Sequence, residues 1–175
     1  RRNFKVDINS NFFRFLFPEH PLNLVSRWSV GSDKDSLIKR AAFNGMGMVI
    51  WQDVFGCWLP FNSKQKNQIS KLKKILNKYH YCFNGNNSIP LIKTESHFVI
   101  CNEFSDVSIN EKIYAVYNFS SKKISGPIIK FQNSIDCNCM QIFGKNSKIR
   151  IKNSKGFKFL SAEIDSNEVL LVHVN

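Results

Sequence analysis

Apolar residues along the chain fall into runs whose spacing changes once, near Asn84. Phe12 to Phe17 (Phe-Phe-Arg-Phe-Leu-Phe) is a short apolar run stopped by Pro18-Glu19-His20-Pro21, which predicts a buried strand ending in a rigid loop. Gly31-Ser32-Asp33-Lys34-Asp35 reads as a helix start, with Ser32 as cap and Asp33 and Asp35 in the first turn, where the helix dipole favours carboxylates. Leu37, Ile38, Ala41 and Ala42 form one stripe, and Gly45 is a natural stop. Gly47 to Trp51 is apolar on both faces, as in a parallel strand covered on each side, and it ends at Gln52-Asp53. A loop then leads to Ser63, a candidate cap, and to a helix with Ile69, Leu72, Ile75, Leu76 and Tyr79 on one side and lysines on the other.

Beyond Tyr79 the pattern changes. Asn84-Gly85-Asn86-Asn87-Ser88 is turn-rich, and short segments follow: 97–101, 112–119, 128–131, 148–151 and 169–174. Asn, Ser, Gly and Lys separate them and no helical period runs through them, so they predict an antiparallel β-sandwich. Phe98, Tyr114, Val116 and Val172 are its expected interior residues.

Composition agrees with a globular chain: 175 residues, 43% hydrophobic, with 16 Phe that fill interior space more readily than they form a surface. The net charge of +12 raises a nucleic-acid partner, but its distribution argues against one. Residues 1–83 hold 14 basic and 5 acidic side chains, and six of the basic ones are lysines between Lys64 and Lys78, a solvated helix face segregated from the aromatics. No apolar stretch is long enough to cross a membrane, and Arg1-Arg2 lacks the apolar run of a twin-arginine signal. The start without Met is expected of a chain that begins mid-protein. Cys57, Cys82, Cys101, Cys137 and Cys139 form no C-x-x-C pair, which implies no disulfide framework, no zinc site and no other cofactor, and favours a reducing, cytoplasmic compartment. Asn118-Phe119-Ser120 matches a glycosylation sequon inside an expected strand and carries no weight.

Two βα units cannot close a parallel sheet, so their partners must come from elsewhere: upstream barrel residues or a partner chain. The segment Phe13 to His20, with Ala41 to Gly56 (AAFNGMGMVIWQDVFG), resembles the end of a glycoside-hydrolase-type barrel, and the second half is similar to the β-sandwich many such enzymes carry. The resemblance implies α/β plus all-β architecture: residues 1–83 as the last two βα units of a (β/α)8 TIM barrel, and residues 84–175 as a C-terminal β-sandwich. It further implies Glu19 as a nucleophile after the seventh strand and Trp51 as a sugar platform after the eighth, with Gln52, Trp58 and His20 contacting substrate. Asp53 is a second carboxylate or holds a sugar hydroxyl. Each of these has a plainer reading: Glu19 as a solvated loop residue, Trp51 as barrel filling, Trp58 as a cover on the barrel rim, and His20 in a local hydrogen bond.

The resulting expectation is the C-terminal portion of a glycoside hydrolase acting on an oligosaccharide or glycoside. It is inactive alone, because glycosidic cleavage needs two carboxyls and the usual acid/base strand is not in the chain. The alternative is a non-catalytic carbohydrate-binding or structural module. Carbohydrate is the partner in both, with no nucleic acid and no membrane.

Overall fold

The computed structural model describes residues 8–20, 22–26, 33–50, 61–106, 108–131, 138–154 and 156–175. The chain begins with a short helix, α1 (Phe12–Leu16), followed by β1 (Asn23–Ser26), α2 (Lys34–Phe43), β2 (Gly47–Ile50), α3 (Ser63–Lys78) and α4 (His80–Phe83). Seven strands follow: β3 (Val99–Ser105), β4 (Lys112–Asn118), β5 (Ile124–Phe131), β6 (Cys139–Phe143), β7 (Ile149–Ser154), β8 (Phe157–Ile164) and β9 (Glu168–Val174).

The Phe12–Phe17 strand expectation is overturned. The run is α1 and its C-cap, with Phe12, Phe13, Leu16 and Phe17 exposed, while Phe15 stacks on Phe104 at 5.3 Å and Arg14 is buried. A uniformly apolar run has no period of its own, so the sequence cannot separate strand from helix there. The parallel partner of β2 is instead β1, in the register Asn23↔Gly47 to Ser26↔Ile50. The connection through α2 is as expected, because a parallel pair needs a crossover.

α2 is capped by Asp33, whose side chain accepts from the Ser36 amide at 3.2 Å; the expected cap Ser32 lies outside the described residues. It ends at Gly45 (φ +58°), where a Cβ would come within 2.5 Å of the Phe83 ring. α3 is capped by Asn62 rather than Ser63. The Asn62 carboxamide accepts from the Gln65 amide at 2.9 Å, and the Gln65 side chain accepts from the Asn62 amide at 3.1 Å. Leu72, Ile75 and Tyr79 are buried, with Ile69 and Leu76 packed against them, as the helical stripe predicts.

The strands form two antiparallel sheets, ordered β3-β4-β9-β6 and β5-β8-β7. One face of the four-stranded sheet meets the three-stranded sheet across a core that includes Val99, Tyr114, Val116, Ile128, Leu160 and Leu170. Its other face meets the helices through Phe43, Phe83, Phe104, Ile113, Tyr117 and Leu171. The result is three layers, with the helices on one side of a sandwich. Tyr114, Val116 and Val172 are inside as predicted, but Phe98 is 57% exposed. It precedes β3 and packs on the half-exposed Phe119 outside the sandwich, at 6.3 Å. β6 and β8 were not among the expected strands.

Buried amides tie the layers together. Asn102 on β3 donates to the Phe43 carbonyl at 3.0 Å. Asn118, fully buried, donates to the carbonyls of Lys122, Ile164 and Asp165 at 2.8, 3.1 and 3.0 Å. That burial leaves no room for a glycan on the sequon asparagine in the folded chain. On β1 and β2, Leu24 and Met48 pack towards the helical core, whereas Val25 and Val49, paired on the opposite face, are 43% and 41% exposed. No helix of the described residues is long and apolar enough to cross a membrane.

Candidate functional site

Because β1 and β2 are parallel and in register, their carboxyl ends, Ser26 and Ile50, lie side by side. In α/β folds these ends are where sites are built, since the loops there converge from several strands. Both strands run directly into residues outside the described set, 27–32 and 51–60. Trp51, Gln52, Asp53 and Trp58 therefore lie outside the described residues.

Glu19 and His20 are placed elsewhere. They sit in the turn that follows α1, where the His20 amide donates to the Phe17 carbonyl at 3.1 Å. The side chains are 63% and 73% exposed, with Glu19 Oε1 3.7 Å from His20 Nε2. The placement of Glu19 after a strand is thus corrected: the segment before it is a helix, and the next strand begins at Asn23, so Glu19 precedes β1.

At the amino ends of the two strands the structure does something the sequence did not announce. Arg14 is only 2% exposed, and its guanidinium donates to the carbonyls of Pro18 at 3.1 Å, Gly45 at 3.4 Å and Phe83, and to Asn84 Oδ1 at 3.1 Å. Burial lowers its pKa, yet the fork of donors satisfies the charge. The group closes one side of a cavity of about 450 Å³ lined also by Asn23, Gly47, Lys73, His80 and Asn84. A cavity at the amino ends of parallel strands belongs to the stabilising face of such folds, and the clamp it contains joins α1, α2 and α4.

A second cluster sits on the seam between helices and sheet. The Tyr81 hydroxyl donates to Glu111 Oε2 at 2.6 Å, and His173 Nε2 lies 2.9 Å from the same oxygen. The Tyr79 ring packs on the His173 ring with centroids 4.8 Å apart. The Tyr81 hydrogen bond, and then the His173 one, hold the Glu111 carboxyl below the usual carboxylate range, and the Tyr81 phenol is pushed up by the same bond. These residues could pass a proton, but every group is engaged in holding β9 to α4. No group of three or more His, Cys, Asp or Glu that could hold a metal is present among the described residues.

No family model matches the chain, and no curated protein matches it. Solved structures do. An α-amylase from H. orenii superposes with a TM-score of 0.54 at 10% identity, over 91% of this chain and 41% of the amylase. A glycoside hydrolase family 30 subfamily 8 xylanase from Clostridium acetobutylicum gives 0.46 at 13% identity, over 98% and 46%. A trehalose-6-phosphate hydrolase from Bacillus licheniformis gives 0.38 at 12%, over 68% and 22%. The chain spans about two-fifths of the length of the amylase. Identity this low speaks to fold alone: over most of the chain the fold is like that of part of the amylase, mixed helix and sheet with antiparallel sheets.

Proposed function

We propose that the chain is the carboxy-terminal portion of a glycoside hydrolase acting on an oligosaccharide or glycoside, with residues 1–83 completing a (β/α)8 barrel and residues 84–175 forming its C-terminal β-sandwich. One observation carries this reading. The β1–β2 pair is parallel, crosses over through α2 and is followed by α3, yet one of its faces exposes Val25 and Val49 at 43% and 41%. A parallel sheet is stable when both faces are covered, so this pair is built to continue into further strands and helices. The amylase-like arrangement of both halves supports the same reading.

Asp53, Gln52 and Trp51 follow β2 directly, at the end where barrel enzymes bind substrate, and Trp58 is seven residues beyond Trp51. Asp53 is the stronger candidate carboxylate, since Glu19 precedes its strand. Trp51 and Trp58 would offer flat apolar faces to a pyranose ring, and Gln52 would hold a hydroxyl. With one carboxyl of the required pair, the chain alone turns over no glycoside. The closed core between the two sheets favours a second reading, a non-catalytic carbohydrate-binding or structural module.

The three tryptophans, Trp28, Trp51 and Trp58, all follow β1 or β2, so intrinsic fluorescence reports on the strand ends. Titration with maltotriose should quench it, and Trp51→Ala or Asp53→Asn should remove the response. No hydrolysis of aryl glycosides by the chain is expected. An emission unmoved by the sugar would overturn the strand-end site, and turnover abolished by Glu19→Gln would show a complete site already present.

A further inference from the structure

We infer that the mouth of the β-sandwich is a second, independent binding groove for an oligosaccharide, centred on the Glu103–Lys112 ion pair. Two cavities, of about 450 and 480 Å³, open on either side of that pair, and Ile89, Glu103 and Lys112 line both. Each is within the size range of small-molecule sites. Because they share these three residues, they form one groove crossing the ion pair.

Strand alternation explains why the pair sits there. Val99 and Cys101 on β3, and Tyr114 and Val116 on β4, face the three-stranded sheet, so Glu103 and Lys112 share that face at the open end of the sandwich. Glu103 is 8% exposed, and its Oε1 accepts from Lys112 Nζ at 2.5 Å and from the Ser105 hydroxyl at 3.4 Å. Its backbone is fixed as well, exchanging hydrogen bonds with Ile89 at 2.8 and 2.9 Å. With Lys112 half-exposed, the ion pair contributes little to stability. A fixed carboxylate beside a half-exposed ammonium suits a ligand rich in hydroxyls.

The walls differ in character along the groove. On one side the partly exposed Phe131 and Ile92, with the half-exposed Ile89, give an apolar surface suited to the C–H face of a pyranose ring, and the Phe131 ring rests edge to face on the buried Tyr114 at 6.0 Å. On the other side the exposed Asn86 and Asn87 present amides that both donate and accept, while the Ser88 and Ser105 hydroxyls donate to the Gly85 and Asn87 carbonyls. Glu103 and Asp106 offset two of the three lysines in the lining, Lys93, Lys112 and Lys130, so no strong field of either sign selects a charged ligand. Preference for a sugar over another hydroxyl-rich ligand rests on the proposed function; the groove itself does not.

The test is calorimetric titration of the 175-residue chain with maltotriose and with cellotriose. Binding by at least one trisaccharide is expected, weakened about tenfold or more by Glu103→Gln, which removes a charged acceptor at nearly constant volume. Ile89→Trp, at the half-exposed junction of the two cavities, should block the groove's share of this binding, and that share should persist when Trp51→Ala removes the proposed strand-end site. If Glu103→Gln lowers the melting temperature into the titration range, Lys112→Gln, at a half-exposed position, takes its place. Binding kept in Glu103→Gln and Ile89→Trp but lost in Trp51→Ala would overturn the groove and sustain the strand-end site. Binding with the reverse pattern would establish the groove whatever becomes of the strand ends. Heat absent for both trisaccharides at about 10 mM would overturn the proposal.

Discussion

Replacing Arg14 by alanine should destabilise the chain by about 3 kcal/mol. The guanidinium satisfies the carbonyls of Pro18, Gly45 and Phe83, all three in buried residues, together with the Asn84 side chain, which is exposed. A buried carbonyl left without its donor costs about 1–3 kcal/mol. Three such groups would cost about 6 kcal/mol, but the cavity adjoining Arg14 admits water, and the variant no longer desolvates a cation. Recovery of about half leaves roughly 3 kcal/mol, which for a chain of this length lowers the melting temperature by roughly 6–12 °C. Arg14→Lys keeps the charge, but an ammonium lacks the planar fork and cannot span four acceptors, so it should lie between alanine and the parent. Urea denaturation followed by circular dichroism measures the series. Hydrogen exchange should show the loss concentrated in α1, α4 and the end of α2, the elements the clamp joins. A loss below about 1 kcal/mol for Arg14→Ala, or a methionine variant more stable than the parent, would refute the view that the hydrogen bonds outweigh the burial of the charge.

The Glu111 carboxyl is held below its ordinary value, so its stabilisation is present above the unfolded pKa of about 4.3 and lost as pH falls through the lower folded value. Glu111→Gln should therefore flatten the fall in stability between about pH 5 and pH 3, by about 1 kcal/mol given that the side chain is 32% exposed, and an unchanged pH profile would count against the bond. Burial pushes the Cys82 thiol up to about 12 and the Cys101 thiol well above its ordinary range. Neither should react with iodoacetamide at pH 8 in the native state, and peptide mapping that finds them labelled as fast as in urea would contradict the packing. The exposed apolar face of β1 and β2, with the exposed phenylalanines of α1, should make the chain associate. Light scattering should report oligomers that Val49→Lys reduces, and a parent that scatters as a monomer would argue against an unfinished sheet.

Where a segment carried its own period, its structure was legible in advance. α3 repeats apolar residues every three or four positions, and Leu72, Ile75 and Tyr79 are buried as that stripe requires. α2 has acidic residues at its start and a glycine at its stop, and the backbone follows them, with Gly45 in the left-handed region. The change near Asn84 from helical period to short strands with turn-rich spacers marked the antiparallel part before any pairing was known. Helix dipole, capping and alternation are local effects, and local effects are written in neighbouring residues.

Tertiary structure decided the rest. Phe12 to Phe17 is apolar almost throughout, and only the carbonyls of Gly45 and Phe83 around Arg14, and Phe104 against Phe15, settle it as helix. β1 is four residues long with Asn and Ser at its ends, too little for a pattern, and it is a strand because Gly47 to Ile50 pairs with it. Tyr81, Glu111 and His173 are separated by 30 and 62 positions, as are other contacts that join helices to sheet, so no spacing in the chain announces them. Glu103 and Lys112 become one site only because β3 and β4 turn the same face inward at the open end of the sandwich. Packing chooses among the conformations that local propensity leaves equal in energy, and it assembles chemical groups by distance in space, which sequence separation does not encode.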